Sequence, residues 1–397
     1  MEYVFTPAAE KLKPSAIREI LKLSSAPNII PFSAGNPSPE AFPVETVNGI
    51  IQKIMQKNPI GALQYSVTEG YVPLRESVKK YMREKYSVGN DSDDVIITCG
   101  AQQVMSLCST ALAGAGDTIL CENPSFVGSL NALKLTGANL VGIDMEADGM
   151  NIEALENAIK NNKNVKLLYI IPNFQNPTGI TTSLEKRKKI YELAKKYKFM
   201  ILEDNPYGDL YFDQAPPAAI KSMDTDGIVI YAGSFSKVLA PGLRVGWCVA
   251  PKTIIAKITA IKQTQDVHAT ILSQMIANEF LTACDFEGHL EFLRKLYREK
   301  AALCIEKMNE HLAPEIEFQA PSGGLFAWCK LPKEIDMSEF CTLSVKEYGV
   351  AVVPGSAFDV KEQPNGHFRI NYSTPTNEQI IKGMALLEEL KNKMLNK

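Results

Sequence analysis

From about residue 45 to 250, short β-branched and aliphatic runs alternate with stretches whose apolar residues recur at helical spacing. The runs are VIIT (95–98), TILC (118–121), LVGI (140–143), LLYII (167–171), MILED (200–204), IVIYA (228–232) and RVGWCV (244–249). Between them lie patterns such as LEKRKKIYELAKKY (184–197), with apolar residues at 190, 193, 194 and 197. Continuous apolar runs separated by amphipathic helices predict an α/β fold, its mostly parallel sheet covered on both faces. The seven runs predict seven strands flanked by helices.

Beyond this region the pattern changes. Residues 287–311 are charged and apolar at helical spacing and predict one long helix. It leads into a smaller α+β region, about 313–397, with GGLFAWCKL (323–331), AVVPG (351–355) and HFRINYS (367–373). Residues 1–45 carry seven prolines and read as an extended arm, interrupted by a short helix at Ala16–Leu23. The expected division is an arm (1–45) packed on the small domain, a large domain (46–285), and an interdomain helix with a small C-terminal domain (286–397).

Composition narrows the function classes. A formal net charge of -3 over 397 residues gives no general attraction to nucleic acid or an anionic membrane. The eight cysteines form no C-x-x-C pair and sit mostly in apolar surroundings, as expected of reduced thiols in the cytoplasm. The four histidines are scattered without metal-ligand spacing, so no metal site is expected. MEYVFTPAAEKLKPS lacks the apolar core of a secretory signal, and no apolar run approaches a membrane span.

The polar clusters fall at strand ends, where open parallel sheets collect ligands. Gly100, Ala101 and Gln102 follow VIIT; Asn173–Gly179 follow LLYII; Asp204–Tyr207 follow MILE; Ser234–Lys237 follow IVIYA. Small residues opening a helix after a strand expose backbone N–H groups to an anion. Ser234, Ser236 and Arg244 would add hydroxyls and a guanidinium, a set suited to phosphate. Asp204 ends an apolar strand, so its carboxylate is either a turn cap or the partner of a heterocyclic N–H⁺. Lys237, in SFSKVLAPGLRVGW, either snorkels to the surface or is a desolvated amine nucleophile. Taken together, the pieces describe pyridoxal 5'-phosphate held as a Schiff base.

With these residues in place, the sequence resembles the fold-type I, class I/II pyridoxal-phosphate aminotransferases over nearly its whole length. NFQNPTGI (173–180), EDNPYGDL (203–210), SFSKVLAPGLRVGW (234–247) and FRINYS (368–373) carry the resemblance, with 33 residues from Asp204 to Lys237 and 132 from Lys237 to Arg369. The resemblance implies that Lys237 forms the Schiff base and then acts as general base at Cα. It implies that Asp204 pairs with the ring nitrogen, and that Asn176 and Tyr207 donate to the phenolic oxygen. Phe126, in ENPSFVG, is similar to the aromatic residue that stacks on the ring. Gly100, Ala101, Gln102, Ser234, Ser236 and Arg244 are similar to the phosphate cup. Arg369 resembles the arginine that takes the substrate α-carboxylate with Asn176, and Gly35 resembles the glycine lining the substrate site. Tyr65 is similar to a tyrosine that reaches the phosphate of a neighbouring subunit, implying a homodimer with shared sites.

Within the family, KPSAIREILKLSSAPNIIPFSAGNPSPEAFP resembles the 2-aminoadipate, kynurenine and aromatic aminotransferase subgroup, where Arg18 matches an arginine facing a distal carboxylate. The expectation is ping-pong transfer from such an L-amino acid to 2-oxoglutarate or another 2-oxo acid. Two alternatives stay open on sequence: a C–S β-lyase of the same fold, and the effector domain of a transcription regulator. The short, proline-rich arm argues against the regulator, since it leaves no room for a DNA-binding domain.

Overall fold

The computed structural model describes residues 3–10 and 28–396, so Arg18 and the expected helix Ala16–Leu23 lie outside the described residues. All seven apolar runs become strands: β1 (Asp93–Cys99), β2 (Thr118–Asn123), β3 (Asn139–Glu146), β5 (Val165–Ile170), β6 (Met200–Asp204), β7 (Val229–Ser234) and β8 (Val245–Pro251). The sheet nevertheless has eight strands, because β4 (Gly149–Met150) folds back on the end of β3. Two residues are too few to leave a period in the sequence.

The sheet order is β1-β8-β7-β6-β5-β2-β3-β4. The pairs β2/β3, β2/β5, β5/β6 and β6/β7 are parallel, whereas β8 runs antiparallel between β1 and β7. The order turns outward on either side of the β2–β5 pair, a topological switch point where a crevice forms. Successive residues face opposite sides of the sheet. Leu120, Leu168, Ile170 and Ile201 pack one face with residues from helices Ile152–Asn161 and Leu184–Tyr197. Cys121, Tyr169 and Leu202 face the other side, in the larger core that includes helix Ala101–Leu112. A buried Lys221 bonds Asp93 at the start of β1 and Asp224 ahead of β7 (2.8 and 2.9 Å), so its charge stays paired out of water.

The expected long helix spans Phe286–His311, its first turn capped by the Asp285 carboxylate. A second, antiparallel sheet follows: β9 (Glu317–Phe318), β10 (Phe326–Lys330), β11 (Val353–Pro354) and β12 (His367–Asn371), in the order β11-β12-β10-β9. The N-terminal segment joins it. Ile30 bridges Val350, and the Phe32 carbonyl accepts a hydrogen bond from Asn371 N. This docking carries Ser33 and Gly35 to the carboxyl ends of the large sheet. Among the described residues, no helix is long and apolar enough to cross a membrane.

Candidate functional site

A cavity of about 520 Å³ opens at the carboxyl ends of the large sheet, and its walls hold residues from every strand-end cluster named above. At one end, Gly100 precedes the helix Ala101–Leu112, whose first N–H groups receive no side-chain cap. Gly100 has φ +71°, and a Cβ there would lie 2.4 Å from a guanidinium nitrogen of Arg244. Only glycine lets the helix start and the arginine approach so closely. Arg244 donates to the Cys99 carbonyl (3.0 Å), while the hydroxyls of Ser234 and Ser236 stand 2.8 Å apart. Uncapped N–H groups, two hydroxyls and a guanidinium converge on one end of the cavity, a donor set for a dianion.

The middle of the cavity is set by β6 and the β7–β8 connection. Asp204 is the last residue of β6 and is buried; its Oδ2 accepts from the Tyr169 hydroxyl (2.8 Å). Its Oδ1 has no partner among the described residues. Burial raises the Asp204 carboxyl to about 7, against the pull of Tyr169. Lys237 is half-buried, with its Nζ donating to the Gly35 carbonyl (2.7 Å). Burial, then the charges of Arg369 and Arg244, lower its ammonium to about 8. The lysine does not snorkel away; it is a destabilised cation inside the cavity.

At the far end, β12 places Arg369 under cover. Its guanidinium lies between the rings of Phe326 (4.2 Å) and Phe358 (4.8 Å). It donates to Asn176 Oδ1 (2.7 Å) and the Ser33 carbonyl (2.8 Å), while its Nε has no partner among the described residues. Burial lowers it to about 10, so it stays charged at neutral pH without touching a carboxylate. Asn176 also donates to the Tyr207 hydroxyl (3.4 Å). Burial raises that phenol further than Arg369 draws it down. Phe126 lines the cavity as well, and the first turn after it is drawn in by Gln102 Nε2 donating to Gly128 O (2.8 Å).

The structure thus brings Gly35, Ala101, Gln102, Phe126, Asn176, Asp204, Tyr207, Ser234, Ser236, Lys237, Arg244 and Arg369 around one cavity, with Gly100 behind the anion end. It does not bring Tyr65 there within one chain. That residue is 81% exposed and meets His268 edge-on at 5.8 Å.

Two residues escaped the sequence reading. Tyr169 counted only as strand filler, although it stands near the end of β5 beside β6. Arg187 is fully buried and donates to the carbonyls of Thr182, Pro217, Ala218 and Pro172, and to Asn173 Oδ1. It thereby clips both ends of the loop that presents Asn176. Its signal was available: Arg187, Ile190, Tyr191 and Ala194 share one helical face.

These residues fit a phosphorylated pyridine. The unpartnered Asp204 oxygen suits a ring N–H, the anion end suits a phosphate, and Lys237 supplies an amine. No group of residues that could hold a metal ion occurs among the described residues. The comparisons agree with this chemistry. The family described as "Aminotransferase class I and II" matches residues 27–385. An aromatic-amino-acid aminotransferase of Thermococcus litoralis is 36% identical over 98% of this chain and 94% of its own. A 2-aminoadipate transaminase of Thermus thermophilus is 36% identical over 96% and 95%. The crystal structure of Pyrococcus horikoshii kynurenine aminotransferase with PMP superimposes with a TM-score of 0.94, at 34% identity over 98% of this chain and 97% of that one.

Proposed function

This chain belongs to the class I and II aminotransferases, pyridoxal-phosphate-dependent enzymes, and from that premise we propose which substrates it takes and which residues serve the transfer. The amino donor is an L-amino acid of the 2-aminoadipate, glutamate or aromatic kind. The acceptor is 2-oxoglutarate or another 2-oxo acid. The names of relatives covering nearly the whole chain support that class. One observation carries the site assignment: the Lys237 amine, the free Asp204 oxygen and the Arg369 guanidinium converge on a single cavity.

Bound pyridoxal phosphate supplies an aldehyde that condenses with amines and a ring that takes up the electron pair released at Cα. Ser234, Ser236, Arg244 and the N–H groups after Gly100 would hold the phosphate. Asp204 would pair with the ring nitrogen, Asn176 and Tyr207 would donate to the phenolic oxygen, and Phe126 would pack on the ring. Arg369, held between two phenylalanines, receives the α-carboxylate as a bidentate pair together with Asn176. Lys237, lowered to about 8, is partly neutral near pH 7 and serves as the base that moves the Cα proton. Both half-reactions use these same groups, so turnover is ping-pong.

Apart from Lys237, Arg244 and Arg369, no cation lines the cavity among the described residues. A second substrate carboxylate therefore needs another partner, and we assign Arg18 to it. Tyr65 we assign to the phosphate of a neighbouring copy, across an interface formed by the exposed side chains of Ile60, Leu63 and Val67 around it. We place the cofactor unit at 46–285, the smaller unit at 286–397 with the arm 1–45 against it, and the protein in the cytoplasm, where its eight free cysteines stay reduced.

The experiment is Lys237→Ala, with visible absorbance and a panel of amino donors against 2-oxoglutarate. The variant is expected to lose the lysine-dependent absorbance and on the order of 10³-fold or more in turnover. Unchanged turnover by a folded variant overturns the assignment. Pyruvate and ammonia from cystathionine, in place of oxo acid and glutamate, would favour the lyase.

A further inference from the structure

Tyr169 sits on β5 among Leu167, Leu168 and Ile170, all fully buried, where a phenylalanine would pack equally well. A hydroxyl placed there costs stability unless it is paired. It donates to Asp204 Oδ2 at 2.8 Å, leaving the buried Oδ1 of that cavity-lining carboxylate without a partner among the described residues. We propose that Tyr169 is a positioning residue that keeps Asp204 ionised and turned toward the cofactor ring nitrogen. This rests on the cofactor assignment above.

The carboxylate has one oxygen committed and one free. The Tyr169 bond fixes Oδ2, and the carboxylate plane then sets where Oδ1 points. A neutral donor favours the ionised form of its acceptor. No cation among the described residues assists it. Burial acts on Asp204 in one direction, and the Tyr169 hydroxyl is the group opposing it. The other titratable groups nearby do not help. Tyr207, Tyr231 and the buried Glu122 interact with Asp204 through space, and each would repel its charge if ionised. Without the tyrosine hydroxyl, Asp204 becomes a stronger base. The proton it shares with the ring nitrogen then shifts to the carboxylate, leaving the ring neutral and a poorer electron acceptor.

The test is Tyr169→Phe in the holoenzyme loaded with ¹⁵N-ring-labelled pyridoxal phosphate. The ¹⁵N resonance is expected to move from the pyridinium toward the neutral pyridine position. The amino-donor half-reaction is expected to slow about tenfold, the scale of one hydrogen bond to a charged group, with KM changed less than about twofold. An unmoved resonance with an unchanged rate overturns the proposal. Replacing Tyr169 by 3-fluorotyrosine, a stronger donor of nearly the same size, covers a folding failure: it is expected to keep Asp204 ionised to lower pH, so that the acid-side change in the ¹⁵N resonance comes at lower pH than in the parent. No such change overturns the proposal equally. Failure of the parent protein to bind the cofactor would instead sink the site assignment, a separate and visible result.

Discussion

Glu122 shows how much one buried carboxyl can shape a pH profile. It is fully buried on β2, its Oε2 accepting from Ile171 N (2.9 Å) and Gln175 Nε2 (3.3 Å). Burial pushes it from 4.5 up to about 8. Between those values the folded chain holds a proton that the unfolded chain has released. Its contribution is therefore intact below about pH 4.5 and is lost as pH rises through 8. Glu122→Gln removes that loss. The cofactor-free variant is expected to unfold later than its parent at about pH 9, by on the order of 1–3 kcal/mol, and alike at about pH 5. Calorimetry at the two pH values checks this, and a variant less stable than its parent on the alkaline side contradicts it. Asp204 and Lys237 were legible in the sequence because a charge in an apolar run stands out. Glu122 and Tyr169 were not singled out, because their partners lie 53 and 35 positions away and only the sheet brings them together.

Among elements, the loop after β5 depends most on one side chain. Arg187 holds Pro172 and Thr182 at its two ends, and its guanidinium serves four carbonyls at once. Arg187→Met keeps much of the bulk and removes every one of those donors. It is expected to destabilise the chain by about 2–4 kcal/mol, to speed amide exchange across 173–182, and to weaken cofactor retention. Protection of 173–182 equal to the parent's would show that the clip does not hold the loop. Strand positions were readable because continuous apolar runs bury both faces of a parallel sheet. β4 was not, for want of length. The helical face through Arg187 was readable in principle, but an arginine amid lysines reads as solvated until its burial is seen.

At the scale of the molecule, Ile60 and Leu63 (each 72% exposed), Tyr65, Val67 and Val267 leave apolar surface in water. The ring contact between Tyr65 and His268 ties that stretch to the segment carrying Val267. Such a surface, around the tyrosine proposed to serve a neighbouring copy's cavity, fits a second copy. Ile60→Asp with Leu63→Asp is expected to yield monomers by light scattering, with roughly tenfold or greater weakening of cofactor binding. A dimer that persists, or a monomer with full affinity, removes Tyr65 from the shared site.

The amine at 237 rides on a connection that leaves β7 and returns as β8, its neighbour in the same sheet. Ser234 faces Gly246 across that pair, and Phe235 N bonds the Val245 carbonyl. A segment moored on both sides keeps the amine proposed to react from drifting lengthwise. Adding or removing one residue between those moorings would carry it out of line with its target while leaving the rest of the architecture standing.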